Sequence, residues 1–102
     1  MRKTGHIPQR TVGIAWYRPE QWQRLREVAI DIDDVEETHA EWLGTANNII
    51  DDMEHHGIVV RKVDVDVEEL VTWCIKKGLP LDAKARASFA VHKLQRLTQA
   101  KD

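Results

Sequence analysis

The stretch DDMEHHG, Asp51 to Gly57, sets two adjacent histidines beside three carboxylates at the end of a helical pattern. These are the ligand types that zinc, iron or nickel prefer. Glu36-x-x-His39 and Asp52-x-x-His55 even share the carboxylate-x-x-His spacing of di-iron bundles. The spacing between the two pairs argues against a shared ion. About sixteen residues of helix rotate by roughly 160°, so the pairs project to nearly opposite sides. The inward stripes of the first and fourth helices offer no further glutamate. His55 and His56 fit better as partners of a helix C-terminus, where positive charge opposes the dipole. No metal and no cofactor is expected.

Other chemistry is as sparsely provided. The acidic run DIDDVEETHAEW has Val35 at a ligand position of a calcium loop and Glu36 where the turn glycine belongs, so it reads as a helix cap. Cys74 has two lysines nearby in sequence but no histidine, and it falls on an apolar helix stripe with Val67, Leu70 and Val71. A buried free cysteine of that kind behaves as a small hydrophobe. Signatures of P-loops, dinucleotide-binding turns, nucleophile elbows, zinc proteases and CxxC pairs are all missing, so no catalytic residue is assigned. His39, between Val35 and Trp42 on an apolar seam, reads as a neutral, hydrogen-bonded core histidine.

The elements behind these residues follow from periodicity. TVGIAWY, residues 11–17, reads as a buried strand ended by Arg18-Pro19. Val12, Ile14 and Trp16 lie on one face, and the small-residue face of Gly13, Ala15 and Tyr17 would let another backbone come close. Pro19 opens a first helix with Trp22, Leu25, Val28, Ala29 and Ile32 on its stripe. Asp33 with Glu36, or Asp34 with Glu37, has capping-box spacing for a second, long helix. Its stripe is Val35, His39, Trp42, Ala46, Ile49 and Met53, and Gly57 stops it. IVVRKVDV, residues 58–65, is a second strand, with Arg61 and Lys62 as edge protection. Asp66 caps a helix over 67–77 that ends at Gly78, and Asp82 caps a last one over 82–97, with Ala83, Ala87, Ala90, Leu94 and Leu97 as its buried face. Residues 1–10 and 98–102 are expected to be poorly ordered.

The expected fold is therefore α+β in the order βααβαα, one domain over residues 1–102. Two helices between the strands reverse the chain twice, which predicts an antiparallel pair packed on four helices. At 42% hydrophobic and 31% charged residues the chain has enough apolar content to fold around a core. With a single cysteine and no apolar run of membrane-spanning length, it reads as cytoplasmic.

Charge is segregated along the chain. Residues 1–30 carry a net +4, residues 31–69 a net −11 and residues 70–102 a net +5. Complementary packing within one molecule explains this most simply; an acidic face offered to a partner is the alternative. The helices at 67–77 and 82–97, the second with Lys84, Arg86, Lys93 and Arg96, have the outline of a helix-turn-helix, so a DNA-binding regulator is the runner-up function. The connection GLPLD is long for that motif, and the middle segment's acids would repel DNA.

GIAWYRPEQWQRL gathers two of the four tryptophans and the only tyrosine within a few residues. Trp16, Trp22 and Trp42 are core by position. Tyr17, at the strand end, and Trp73, rotated off its helix's apolar stripe, are expected at a rim, and with Arg18 they are the candidate partner-binding patch. WYRPEQWQRL, with DVDVEELVTWC and GLPLDAKARASFA, resembles a family of small, uncharacterised bacterial proteins over about Gly13 to Leu97. That resemblance implies bacterial origin and a compact domain, and it carries over no catalytic residue. The reading that follows is a non-enzymatic protein-protein interaction or regulatory module acting as a homodimer. A small enzyme with a site at the end of the first strand is the third possibility.

Overall fold

The computed structural model describes residues 10–99. Strand β1 (Thr11–Trp16) leads through a 3-10 turn (Pro19–Gln21) into α1 (Trp22–Val28). A second 3-10 turn (Ile32–Asp34) precedes α2 (His39–His55), and β2 (Val59–Asp64), α3 (Val67–Lys77) and α4 (Ala83–Gln99) follow. The expected order βααβαα thus gains two 3-10 turns.

The strands pair in parallel, with Thr11 opposite Val59 and Trp16 opposite Asp64. This corrects the antiparallel expectation, and the cause is length. A strand of 6 residues spans about 20 Å, while α1, with only 7 residues, spans roughly 10 Å. It is too short to carry the chain back along the sheet. The 17 residues of α2 reach about 25 Å and make the return alone, so the connection behaves as a single-helix crossover with α1 as an excursion.

Each helix begins and ends for identifiable reasons. Thr38 caps α2: its Oγ1 accepts from the Glu41 amide at 3.1 Å, and Glu41 Oε1 accepts from the Thr38 amide at 3.1 Å. This reciprocal box lies beyond the expected Asp33 and Asp34 boxes, leaving Val35 buried in the connection and Ile32 exposed rather than on a helix stripe. Asp66 caps α3 through the amides of Glu68 and Glu69, and left-handed Gly78, with φ 67°, closes it. Asp82 accepts from the Ala85 amide at the start of α4.

The two faces of the sheet are covered by different helices. On one, Trp16 meets Trp42 of α2 edge to face at 5.0 Å, and Lys62 Nζ stands 4.4 Å from the Trp16 ring centroid. On the other, a Cβ on Gly13 would meet Leu94 Cδ2 at 3.1 Å, Val63 Cγ2 at 3.3 Å and the Ala90 carbonyl at 3.5 Å. The small residue at 13 is what lets α4 run directly over β1. Leu25, Val65, Val67, Leu70, Ala85 and Phe89 form the centre of the core. The buried face of α4 is turned from the expected one: Ala85, Phe89 and Ala90 are inside, while Ala83, Ala87 and Leu97 are exposed. Only Arg10, Thr98 and Gln99 of the ends expected to be poorly ordered fall within the described residues. The Arg10 carbonyl accepts from Val59, and α4 continues to Gln99.

Candidate functional site

The residues proposed as one patch are not brought together. Tyr17 is core, only 4% exposed, with its ring edge-to-face against Trp22 and Trp42 at 5.9 and 5.4 Å. It was expected at a rim because strand alternation sets it with Gly13 and Ala15; just past the end of β1 it is instead enclosed by Trp22 of α1 and Trp42 of α2. Burial pushes its hydroxyl up to about 12, and the oxygen has no hydrogen-bond partner among the described residues. Trp73 is half-buried in a groove between α3 and α4, its ring tilted against Phe89 at 5.4 Å and His92 at 5.8 Å. Arg18 stands exposed at the far end of β1.

In an open parallel sheet, ligands settle at the carboxyl ends of the strands, here a crevice of about 320 Å³ lined by Arg18, Gln21, Arg24, Asp66 and Glu68. Its polar groups already have partners. Gln21 Oε1 accepts the Val67 amide at 2.7 Å, and Arg24 holds Glu68 through Nε at 2.7 Å and Nη2 at 3.3 Å. The N-terminus of α3, the natural seat for a phosphate, is filled by the Asp66 carboxylate. The groove at Trp73 is similarly self-paired on one side, where Lys93 reaches Glu69 at 3.4 Å and the Asp64 carbonyl at 2.6 Å.

The histidines are placed without convergence. His39 Nε2 donates to the Tyr17 carbonyl at 2.7 Å, the hydrogen-bonded role read for it, from a half-buried position. His55 and His56 donate from Nδ1 to the carbonyls of Asp51 and Asp52. Among the described residues no three His, Cys, Asp or Glu side chains are gathered as a metal ion would need. Cys74 is buried, and burial pushes its thiol up, away from nucleophilic character.

What remains open is backbone. The bonds from Val59 N to Arg10 O and from Val65 N to Trp16 O fix the ladder's phase. Val12, Ile14 and Trp16 bond inward to β2, so Thr11, Gly13, Ala15 and Tyr17 direct their amides and carbonyls to the outer edge of β1. On β2 the outward set is Val60, Lys62 and Asp64. Both edges are closed at one end by a side chain, Tyr17 O by His39 and Asp64 O by Lys93. They differ elsewhere. The β2 edge carries exposed Arg61, Lys62 and Asp64, whereas β1 has no charge from Thr11 to Trp16. The outward groups of Thr11, Gly13 and Ala15 have no partner among the described residues. Sequence analysis gave Arg61 and Lys62 as edge protection of the second strand, and both are exposed on β2.

No helix among the described residues is long and apolar enough to cross a membrane. No protein-family model, curated protein or solved structure matches the chain.

Proposed function

We propose that this chain is a non-enzymatic protein-protein interaction module that binds through the outer edge of β1. The observation that carries the reading is the asymmetry of the two sheet edges: β2 is guarded by charge, while β1 presents, on an uncharged strand, backbone groups without a partner among the described residues. Such an edge invites pairing unless a partner covers it. Enzymatic use of the strand ends gains little support, because the crevice there is filled by its own ion pairs and cap. DNA binding is weakened in the same way. Arg86 and Lys93, two of the four cations of α4 that would contact phosphate, are held by Asp31 and by Glu69.

The experiment is affinity purification of the full chain from cells that make it, beside Thr11→Pro. Proline at the first strand residue removes an outward amide and leaves the ladder to β2 intact. A co-purifying protein that disappears with Thr11→Pro supports the reading. A partner set unchanged by the substitution, with the variant folded, overturns it. Sedimentation of the purified chain decides whether a second copy is among the partners.

A further inference from the structure

We infer that the open edge of β1 is one side of a slot that takes an extended, uncharged strand of a partner protein, apolar on both faces, as the third strand of the sheet. The inference rests on the reading of the chain as an interaction module and names what that module binds.

The slot has walls on both sides of the sheet plane. Around α4, Phe89 and His92 pack toward α3, Lys93 reaches the end of β2, and Ala90 and Leu94 lie over Gly13. The next sector of the helix, Ala87 and Val91, therefore projects past the outer edge of β1. Val91 is 47% exposed there, level with Gly13. Around α2, Trp42 meets Trp16 of β1, and Ile49 follows seven residues later on the same stripe. Two turns of helix descend about 10 Å, or about three strand residues, which brings Ile49 back to the level of Gly13. Ile49 is 46% exposed. Val91 thus stands half in solvent beyond the β1 edge on one face, and Ile49 stands half in solvent at the same level on the opposite face of the sheet.

The walls decide the occupant's chemistry. A strand added beside β1 has one set of side chains against Val91 and the other against Ile49, so it must be apolar on both faces, as strands covered by helices on both sides are. A charge at either set would be desolvated without a partner. Main-chain bonds to Thr11, Gly13 and Ala15 supply affinity, and the two apolar contacts supply selection.

The same geometry rejects the occupant that an uncharged edge first suggests, β1 of a second copy. Two β1 strands hydrogen-bonded about a two-fold axis lie about 4.8 Å apart. The Ala90 carbonyl sits 3.5 Å from the Cβ position of Gly13, so each α4 lies directly over its own β1. The two α4 helices would then be separated by about the strand spacing, whereas packed helices need about 8–10 Å. A free strand, with no helix above it, fits where a second copy's β1 does not.

The test tethers a strand to the full chain. The sequence TVGIAWY, copied from residues 11–17, is fused through a flexible Gly/Ser linker to the N-terminus, giving an effective concentration on the order of millimolar. The readout is amide hydrogen exchange. Exchange at the outward amides of Gly13 and Ala15 should slow by about tenfold or more, with little change at Ile14, which is already bonded to β2. Val91→Asp in the tethered chain should return Gly13 and Ala15 to their untethered rates. Unchanged exchange at Gly13 and Ala15 in a folded tethered chain overturns the inference, and so does protection of these amides in the untethered chain that rises with self-association. If the tethered strand protects them while Thr11→Pro leaves the co-purifying proteins unchanged, the slot stands and the interaction-module reading fails.

Discussion

Arg86 grips Asp31 through two parallel hydrogen bonds, Nη1 to Oδ1 at 2.8 Å and Nη2 to Oδ2 at 2.9 Å, joining the start of α4 to the connection that follows α1. The neighbouring Ile30 amide bonds to the Leu81 carbonyl at 3.0 Å, so the pair and the backbone fasten the same seam. Both side chains are mostly shielded from water, and the bidentate guanidinium holds the Asp31 carboxyl below its ordinary value.

Asp31→Asn should therefore cost about 2–3 kcal/mol in denaturant unfolding, because it strands a shielded guanidinium. The pair's contribution is fully present above about pH 4, the ordinary aspartate value, and is lost as acid protonates the folded carboxyl below that. The variant should lack this portion of the acid transition.

Tyr17→Phe should raise stability by about 1 kcal/mol, since it removes a buried hydroxyl that has no partner. It should also change the response to alkali. With the folded phenol raised from an ordinary value near 10 to about 12, the share of stability that rests on the neutral phenol is fully present below pH 10 and is lost as pH climbs toward 12. Unfolding free energies measured at pH 9 and pH 11 should fall less between the two for Tyr17→Phe than for wild type.

Gly13→Val should destabilise by about 1–3 kcal/mol, because even the first added carbon meets Leu94 and Val63 closer than ordinary contact allows. The helix would have to lift from the strand. Thermal unfolding, read with the Leu94 and Ala90 resonances, locates the damage at that contact.

Thr38→Ala should cost about 1 kcal/mol through loss of the α2 cap, while Asp33→Ala and Asp34→Ala should each change stability by less than about 0.5 kcal/mol. Chemical denaturation of the three variants separates the true start of α2 from the acidic residues before it.

The sequence made some of this legible and hid the rest for physical reasons. Asp66, Gly78 and Asp82 were readable as helix punctuation because their effects are local. Gly13 was readable as a site of close approach because strand alternation groups it with Ala15 on one small-residue face. Strand direction was not, since it depends on whether α1 is long enough to be a full layer, and its end is set by where the chain docks at Leu81. The start of α2 was ambiguous because DIDDVEET offers several caps of equal spacing. The α4 stripe of Ala83, Ala87, Ala90, Leu94 and Leu97 was a correct observation with the wrong assignment. Only part of it is covered: Ala90 is buried, while Ala83, Ala87 and Leu97 stay exposed. Arg86 looked like a phosphate contact because nothing in sequence ties it to Asp31.

The parallel ladder also has a consequence in time. A chain made from its N-terminus releases β1 before β2, and the strand's partner exists only after all of residues 17–58 have been synthesised. Pairing must then close that whole span, a non-local step that is slow by its topology. Throughout that interval both edges of TVGIAW are free, on an uncharged, Pro-free, β-rich segment of the kind that aggregates when exposed. The half-made chain is consequently more vulnerable than the finished one, and the hazard is greatest between the emergence of β1 and the docking of β2.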